Sequence, residues 1–159
     1  MPKPQILIRP IELSDAEAAA TLSGELGYPL SADTMAGRIR DLPALTNHAV
    51  FVASSSDIVV GWIDVGIVNH LQAEPYGEIG GLVVSHDFRG RGAGRQLVAA
   101  AEQWTASRGV RKMLVRSQVH REAAHEFYVR QDFLHSKTSA VFTKPISTVT
   151  EASFSPGNS

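Results

Sequence analysis

The stretch from Leu82 to Arg95 constrains the fold of this chain more than any other. Apolar β-formers, Leu82-Val83-Val84, break into Ser85-His86-Asp87-Phe88, then into Arg89-Gly90-Arg91-Gly92-Ala93-Gly94-Arg95, and the chain passes at once into a segment of helical period. A buried strand, a glycine turn and a long helix in that order describe a crossover in an α/β sheet. Residues without a Cβ let backbone approach an anion closely, and the first amides of a helix have no intrachain partner. The helix dipole favours negative charge there, and Arg89, Arg91 and Arg95 add charge-assisted donors, so the turn reads as a phosphate site. The plainer alternative is a tight, solvated turn. A dinucleotide fingerprint fails because Arg95 stands where its last small residue belongs, and no Gly-Lys-Ser/Thr follows for a nucleoside triphosphate. An RNA-binding reading of the Arg-Gly cluster suits a disordered tract with interleaved aromatics better than a turn wedged between strand and helix.

The segments around this turn fit one α/β layer. Gln5 to Pro10 predicts a first strand, and Ser14-Asp15-Ala16-Glu17 a capping box opening a helix that runs to about Gly24 or Gly27. A second helix follows Tyr28-Pro29, capped by Ser31, with Met35, Ile39 and Leu42 on one face and Pro43 at its end. From His48 the period becomes β: Ala49 to Ala53, a polar turn Ser54 to Asp57, and Ile58 to Val68 predict a hairpin. Glu78 to Val84 is a further strand whose paired Gly80-Gly81 predicts a bulge or a close backbone approach. The helix after the turn runs from Ala93 to about Arg108 with Leu97, Ala101 and Trp104 on one stripe. Lys112 to Ser117 predicts a strand, Glu122 to Arg130 a helix carrying Phe127 and Tyr128, and Ser139 to Lys144 a closing strand. The sheet is then mixed, antiparallel early and parallel around the crossover. Residues 1–146 form one domain, and the polar tail from Ser147 to Ser159 is expected to be disordered.

Composition narrows the function. The 159 residues hold no cysteine, which excludes disulfides, thiolate metal sites and an acyl-cysteine intermediate, and fits a reducing cytoplasm. No apolar run approaches the roughly 18 residues of a membrane span. The net charge of -1 hides an asymmetry: residues 1–87 carry four Lys and Arg against eleven Asp and Glu, and residues 88–159 carry eleven against five. Such opposition suggests an anionic ligand on the later half and a cationic one on the earlier half, with scattered surface charge as the alternative. Of His86, His120 and His125, the last two are five apart and do not share a face, and no His-Glu-x-x-His occurs, so no metal is expected.

Two motifs together carry a family resemblance. Arg89-Gly90-Arg91-Gly92-Ala93-Gly94 matches the Arg/Gln-x-x-Gly-x-Gly/Ala signature of the GNAT superfamily of N-acetyltransferases, and Leu82-Val83-Val84 looks like the strand before it. Further on, Ala124-His125-Glu126-Phe127-Tyr128, followed by Phe133, resembles that family's Ala-x-x-Phe-Tyr segment. The chain departs at Arg121, where the family often has Asn, and at Asp132, where it often has Gly.

The resemblance implies a splayed parallel strand pair, Glu78–Val84 and Lys112–Ser117, that admits acetyl-CoA. Backbone at Leu82, Val83 and Val84 would bind the pantetheine arm, and Arg89, Gly90, Arg91, Gly92, Ala93, Gly94 and Arg95 the pyrophosphate. It also implies direct transfer to an amine, with Glu78, eleven residues before Arg89, as general base and Tyr128 as the acid that protonates the leaving thiolate. A strand-end glutamate serving only as surface, with ordered water as base, and a core tyrosine are the alternatives. The acceptor groove would draw on Glu25, Tyr28, Asp33, Trp62, Asp64 and Glu74. The expected acceptor is a small cationic amine, with no nucleic-acid or membrane partner and with a homodimer as the candidate assembly. A non-catalytic acyl-CoA sensor and a protein amine acetyltransferase are the competing functions.

Overall fold

The computed structural model describes residues 4–117 and 121–148. Five strands form one sheet in chain order: β1 (Ile6–Pro10), β2 (His48–Ser55), β3 (Ile58–His70), β4 (Ala73–Val84) and β5 (Met113–Val115). Neighbours are antiparallel through β4, and β4 and β5 are parallel. The helices are α1 (Ala16–Leu26), α2 (Ala32–Asp41), α3 (Ala93–Ser107) and α4 (Glu122–Arg130). This is the mixed α/β sheet that the crossover predicts.

Local chemistry explains most boundaries. Ser56 and Asp57 both take positive φ between β2 and β3, the conformation a two-residue hairpin needs to match strand twist. Ser31 caps α2 by accepting from the Thr34 amide at 3.0 Å, as expected. The predicted Ser14–Glu17 box does not form. Asp15 takes the role: its buried carboxylate binds the Arg9 guanidinium through both oxygens, at 2.7 and 2.9 Å, and accepts from the Glu12 amide at 2.8 Å. A bidentate Arg partner on β1 outweighs what an exposed serine cap could gain. Strand β4 starts five residues before the predicted Glu78, because Pro75 reads as a breaker in sequence. It is tolerated here since β5 lies alongside only from Gly77 onward.

The core lies between α3 and the sheet. Leu97, Val98 and Ala101 meet Val60, Ile63, Val65 and Ile79, all buried. Each large aliphatic contributes about 1.5–3 kcal/mol by leaving water. On the opposite face α1 covers Trp62, whose indole donates to the Ala19 carbonyl at 3.2 Å.

Two expectations about the C-terminal part fail. Strand β5 has three residues rather than the six of Lys112–Ser117, and Ser139–Lys144 is not a strand. Val141 and Phe142 are 77% and 92% exposed. Alternating apolar residues make a strand only where a neighbour can pair with their backbone. Among the described residues none does. The expected disordered tail lies mostly outside the described residues, which end at Thr148.

Candidate active site

The parting of β4 from β5 organises the site. Pairing between them consists of Gly77 with Met113, Glu78 with Leu114 and Ile79 with Val115. From Gly80 to Val84, β4 stays paired to β3, and among the described residues no strand lines its other edge. The β3–β4 register slips at the same place, with Asp64 opposite Gly81 and Val65 opposite Ile79, so Gly80 is the extra residue of a β-bulge. Bulges bend the strand that carries them, and this one sits where the fork opens. Side chains would be crowded at both positions: a Cβ on Gly80 would lie 2.9 Å from Asp64 Oδ1, and one on Gly81 2.9 Å from the Trp62 ring. The paired glycines therefore serve both the bulge and the close approach read from the sequence.

At the end of β4 the glycine turn leads into α3. Gly90 and Gly92 have φ of 78° and 89°, a region costly for residues with a Cβ, and Gly92 is the N-cap. Its carbonyl accepts from the Gln96 amide at 3.1 Å, which leaves the amides of Ala93, Gly94 and Arg95 without helical partners. Nothing crowds Gly90 within 4 Å. Arg89, Arg91 and Arg95 are exposed; Arg91 rests on the Phe88 ring at 4.9 Å and Arg89 makes a long bond, 3.4 Å, to the Val84 carbonyl. Gly94 differs from the other two. A Cβ there would lie 3.1 Å from the Phe127 ring, so Gly94 is where α4 seats against α3.

That seating places the neighbouring Tyr128. Its ring meets Phe127 and Phe133 edge-on at 5.4 and 5.7 Å, and it lines one cleft with Val115, Arg116 and Ser117 at the end of β5. Burial pushes the phenol pKa above its usual value, partly opposed by the positive charge of Arg121. The hydroxyl carries its proton through the neutral range, and the upward shift makes it a weaker acid than a solvated phenol. Among the described residues it has no hydrogen-bond partner. Ser117 Oγ is also buried and unpartnered among them.

Glu78 and the six acceptor candidates occupy different places. The Glu78 carboxylate pairs with Arg116 Nε at 3.1 Å, and Arg116 is held as a cation by Tyr76 and by Glu78. Asp64 Oδ2 lies 3.0 Å from His48 Nε2 on the neighbouring strand. Glu25 accepts from the His86 amide at 3.2 Å and ties α1 to the turn. Trp62 is pinned under α1, Tyr28 is exposed at the rim of the cleft, and Asp33 and Glu74 are exposed on α2 and at the start of β4. Only Asp64 joins Glu78 beside the fork. Sequence reasoning misses His48, Arg116 and Ser117, since what brings them in is cross-strand register. Among the described residues no group of three or more acidic or histidine side chains could hold a metal, and His120 lies outside them. No helix of the described residues is long and apolar enough to cross a membrane.

Residues 19–133 match the acetyltransferase (GNAT) family model. The chain is 29% identical over 140 residues to an aminoglycoside N(6')-acetyltransferase type 1 of Stenotrophomonas maltophilia, covering 85% of this chain and 92% of that protein. It is 33% identical over 116 residues to the aminoalkylphosphonate N-acetyltransferase of Salmonella typhimurium, covering 72% and 73%. Among solved structures, aminoglycoside N-acetyltransferase AAC(6')-Iy in complex with CoA superposes with a TM-score of 0.81 at 21% identity, over 91% of this chain and 98% of that one. Glucosamine-6-phosphate N-acetyltransferase from Arabidopsis thaliana reaches 0.72 at 20% identity, over 90% and 99%. With the fork, the glycine turn and the helix that seats on it all in place, this chain belongs to the acetyltransferase (GNAT) family and is an N-acetyltransferase that uses acetyl-CoA.

Proposed function

We propose that the enzyme acetylates a primary amine of a small cationic acceptor, aminoglycoside-like, polyamine-like or amino-acid-like, in the cytoplasm. The observation that carries this is the placement of two carboxylates on one sheet face beside the fork. Glu78 stands opposite Gly66, and Asp64, two residues before Gly66, shares its face because strand side chains alternate. Exposed arginines gather at the other end, around the glycine turn. An anionic coenzyme and a cationic acceptor are thereby offered opposite potentials.

In this reading the free edge of β4 at Leu82, Val83 and Val84 pairs with the pantetheine amides as an added strand would. The turn from Arg89 to Arg95 takes the pyrophosphate on backbone amides and guanidiniums. Glu78 accepts the proton that the acceptor's ammonium must lose before it attacks the thioester carbon. As the carbon–sulfur bond breaks, the Tyr128 hydroxyl gives its proton to the thiolate. Support for Tyr128 comes from its place in the cleft at the end of β5, with no hydrogen-bond partner for its hydroxyl among the described residues; support for Glu78 comes from its position one rung before the last β4–β5 pair, Ile79 with Val115.

The test is CoA release from acetyl-CoA across an amine panel containing an aminoglycoside, a polyamine, an amino acid and an aminoalkylphosphonate. Turnover of a cationic member, reduced in Glu78→Gln most strongly at pH values where the amine is protonated, is the expected result. Part of that loss should return as pH approaches the amine's own pKa. Preference for the aminoalkylphosphonate would reject the cationic acceptor. Coenzyme binding with no release on any amine or protein substrate would make the chain an acyl-CoA sensor.

A further inference from the structure

The pair His48–Asp64 is built into the sheet with more care than a surface contact requires. The two residues lie on neighbouring strands, and Gly66 stands directly opposite His48 in the register. A Cβ on Gly66 would sit 3.4 Å from His48 Nδ1, and one on Gly80 would sit 2.9 Å from Asp64 Oδ1. Each member is thus flanked by a glycine on the next strand. Asp64 Oδ2 is engaged by His48 at 3.0 Å, while Oδ1 faces the bulge residue where β4 leaves β5. Both side chains are about one third exposed, open enough for a solute and sheltered enough to hold one orientation.

We infer that Asp64 is the residue that binds an alkylammonium group of the acceptor, and that His48 is a positioning residue whose charge gates that binding. The inference rests on the cationic-acceptor reading and deepens it. With His48 neutral, its Nε2–H donates to Oδ2, fixes the carboxylate and leaves the full negative charge for an ammonium at Oδ1. With His48 protonated, an imidazolium already satisfies the carboxylate, and an incoming cation meets a positive charge within a few ångströms. Glu78 on β4, paired with Arg116 just after β5, serves the proton transfer rather than the holding of this ammonium.

The sign of the pH effect follows. The hydrogen bond to Asp64 raises the His48 pKa above 6.5, burial opposes the rise, and the Asp64 charge adds to it. Among the described residues Asp64 is the charged group that moves it; Glu78 and Arg116, on the same face, form a pair of their own. The gate is therefore closed below pH 6.5 and opens as pH rises through the raised value. Over that window KM for a cationic acceptor should fall by roughly three- to tenfold, the order expected from removing one charge near a partly solvated site.

The test uses the full chain and the panel amine with the highest kcat/KM. Asp64→Asn should raise the acceptor KM by roughly 10- to 100-fold, the equivalent of one charged hydrogen bond, with the KM for acetyl-CoA unchanged. His48→Gln keeps a neutral donor toward Asp64 and should make the acceptor KM flat between pH 6 and 8.5 or so, where wild type slopes. Thermal melts and CoA titrations identify a variant that has merely misfolded, in which case the other variant decides. An unchanged acceptor KM in Asp64→Asn, or parallel pH profiles in wild type and His48→Gln, overturns the assignment while leaving the cationic-acceptor reading intact. If wild type turns over none of the amines, calorimetry of a polyamine with the CoA-saturated protein replaces kinetics. Binding that is lost in Asp64→Asn supports the site, and no binding, or binding that survives the substitution, overturns it.

Discussion

The two ends of this cleft are made by different means. At the glycine turn the proposed binding groups are backbone amides, set by a left-handed Gly92 and the first turn of α3, and the arginines around them are exposed additions. On the sheet face they are side chains, Asp64 and Glu78, the first engaged by His48 on a neighbouring strand and the second by Arg116 just past β5. A backbone site tolerates many side-chain changes but no blockage. A side-chain site can be tuned one residue at a time. That contrast suits an enzyme whose coenzyme is fixed and whose acceptor differs among relatives.

The largest effect is expected where the two ends meet. Tyr128→Phe keeps the ring between Phe127 and Phe133 and removes only the hydroxyl. Turnover should fall roughly 10²-fold with little change in either KM, because a general acid acts in the transition state. Equal turnover in the two proteins would leave Tyr128 as packing alone.

A smaller but sharper break separates two glycines of the turn. Gly92→Val forces a β-branched residue into positive φ, at a cost of about 1–3 kcal/mol, where a Cβ would meet Arg95 Nη2 at an ordinary contact distance of 3.9 Å. The chain can relieve the strain by rotating its first helical amides, so CoA affinity should drop about tenfold or more while melting changes little. Gly94→Val instead drives methyls into the Phe127 ring, an overpacking worth about 1–3 kcal/mol that loosens α4. Its melting temperature should fall by several degrees, and turnover should fall with it as Tyr128 loses its seat. If Gly94→Val weakened CoA binding without lowering the melting temperature, α4 seating would not be its role.

The same contrast decides what could be read without a structure. The turn is legible because its information is local: glycine spacing, flanking strand and following helix all lie within about a dozen residues. The sheet-face site is not local. His48 and Asp64 are 16 residues apart, and their meeting depends on register across β2 and β3, while Asp64 reaches the fork only because Gly80 bulges. A slip of one residue would send Asp64 to the α3 side. Sequence can nominate Asp64 as acidic and near the acceptor, but it cannot couple it to His48 or distinguish it from Asp33 and Glu74. The misplaced cap at Ser14 has a similar origin, since Arg9 reaches Asp15 from another element. Ser139–Lys144 errs in the other direction: its local alternation is sound, but a strand requires a partner.

The smallest predicted effect is one of screening, and it tests whether the two ends really carry opposite potentials. Arg89, Arg91 and Arg95 are exposed at the turn, whereas Asp64 and Glu78 are partly exposed on the sheet face. At about 0.15 M salt the Debye length is about 8 Å, so attraction beyond direct contact fades as salt is raised through that value. KM for acetyl-CoA and kcat/KM for a dicationic acceptor should both worsen, by a factor of about two to five, as steering is screened. An aminoalkylphosphonate carries net negative charge near neutral pH, so its kcat/KM should not fall in the same way as salt is raised. The measurement is initial rate against salt, from about 0.02 to 0.5 M, with one substrate saturating at a time. In Asp64→Asn the acceptor's salt slope should shrink and the coenzyme's should not, because the substitution removes charge from one end only. Equal flattening of both slopes would mean that the charges act as one field, and the division into a basic backbone site and an acidic side-chain site would fail.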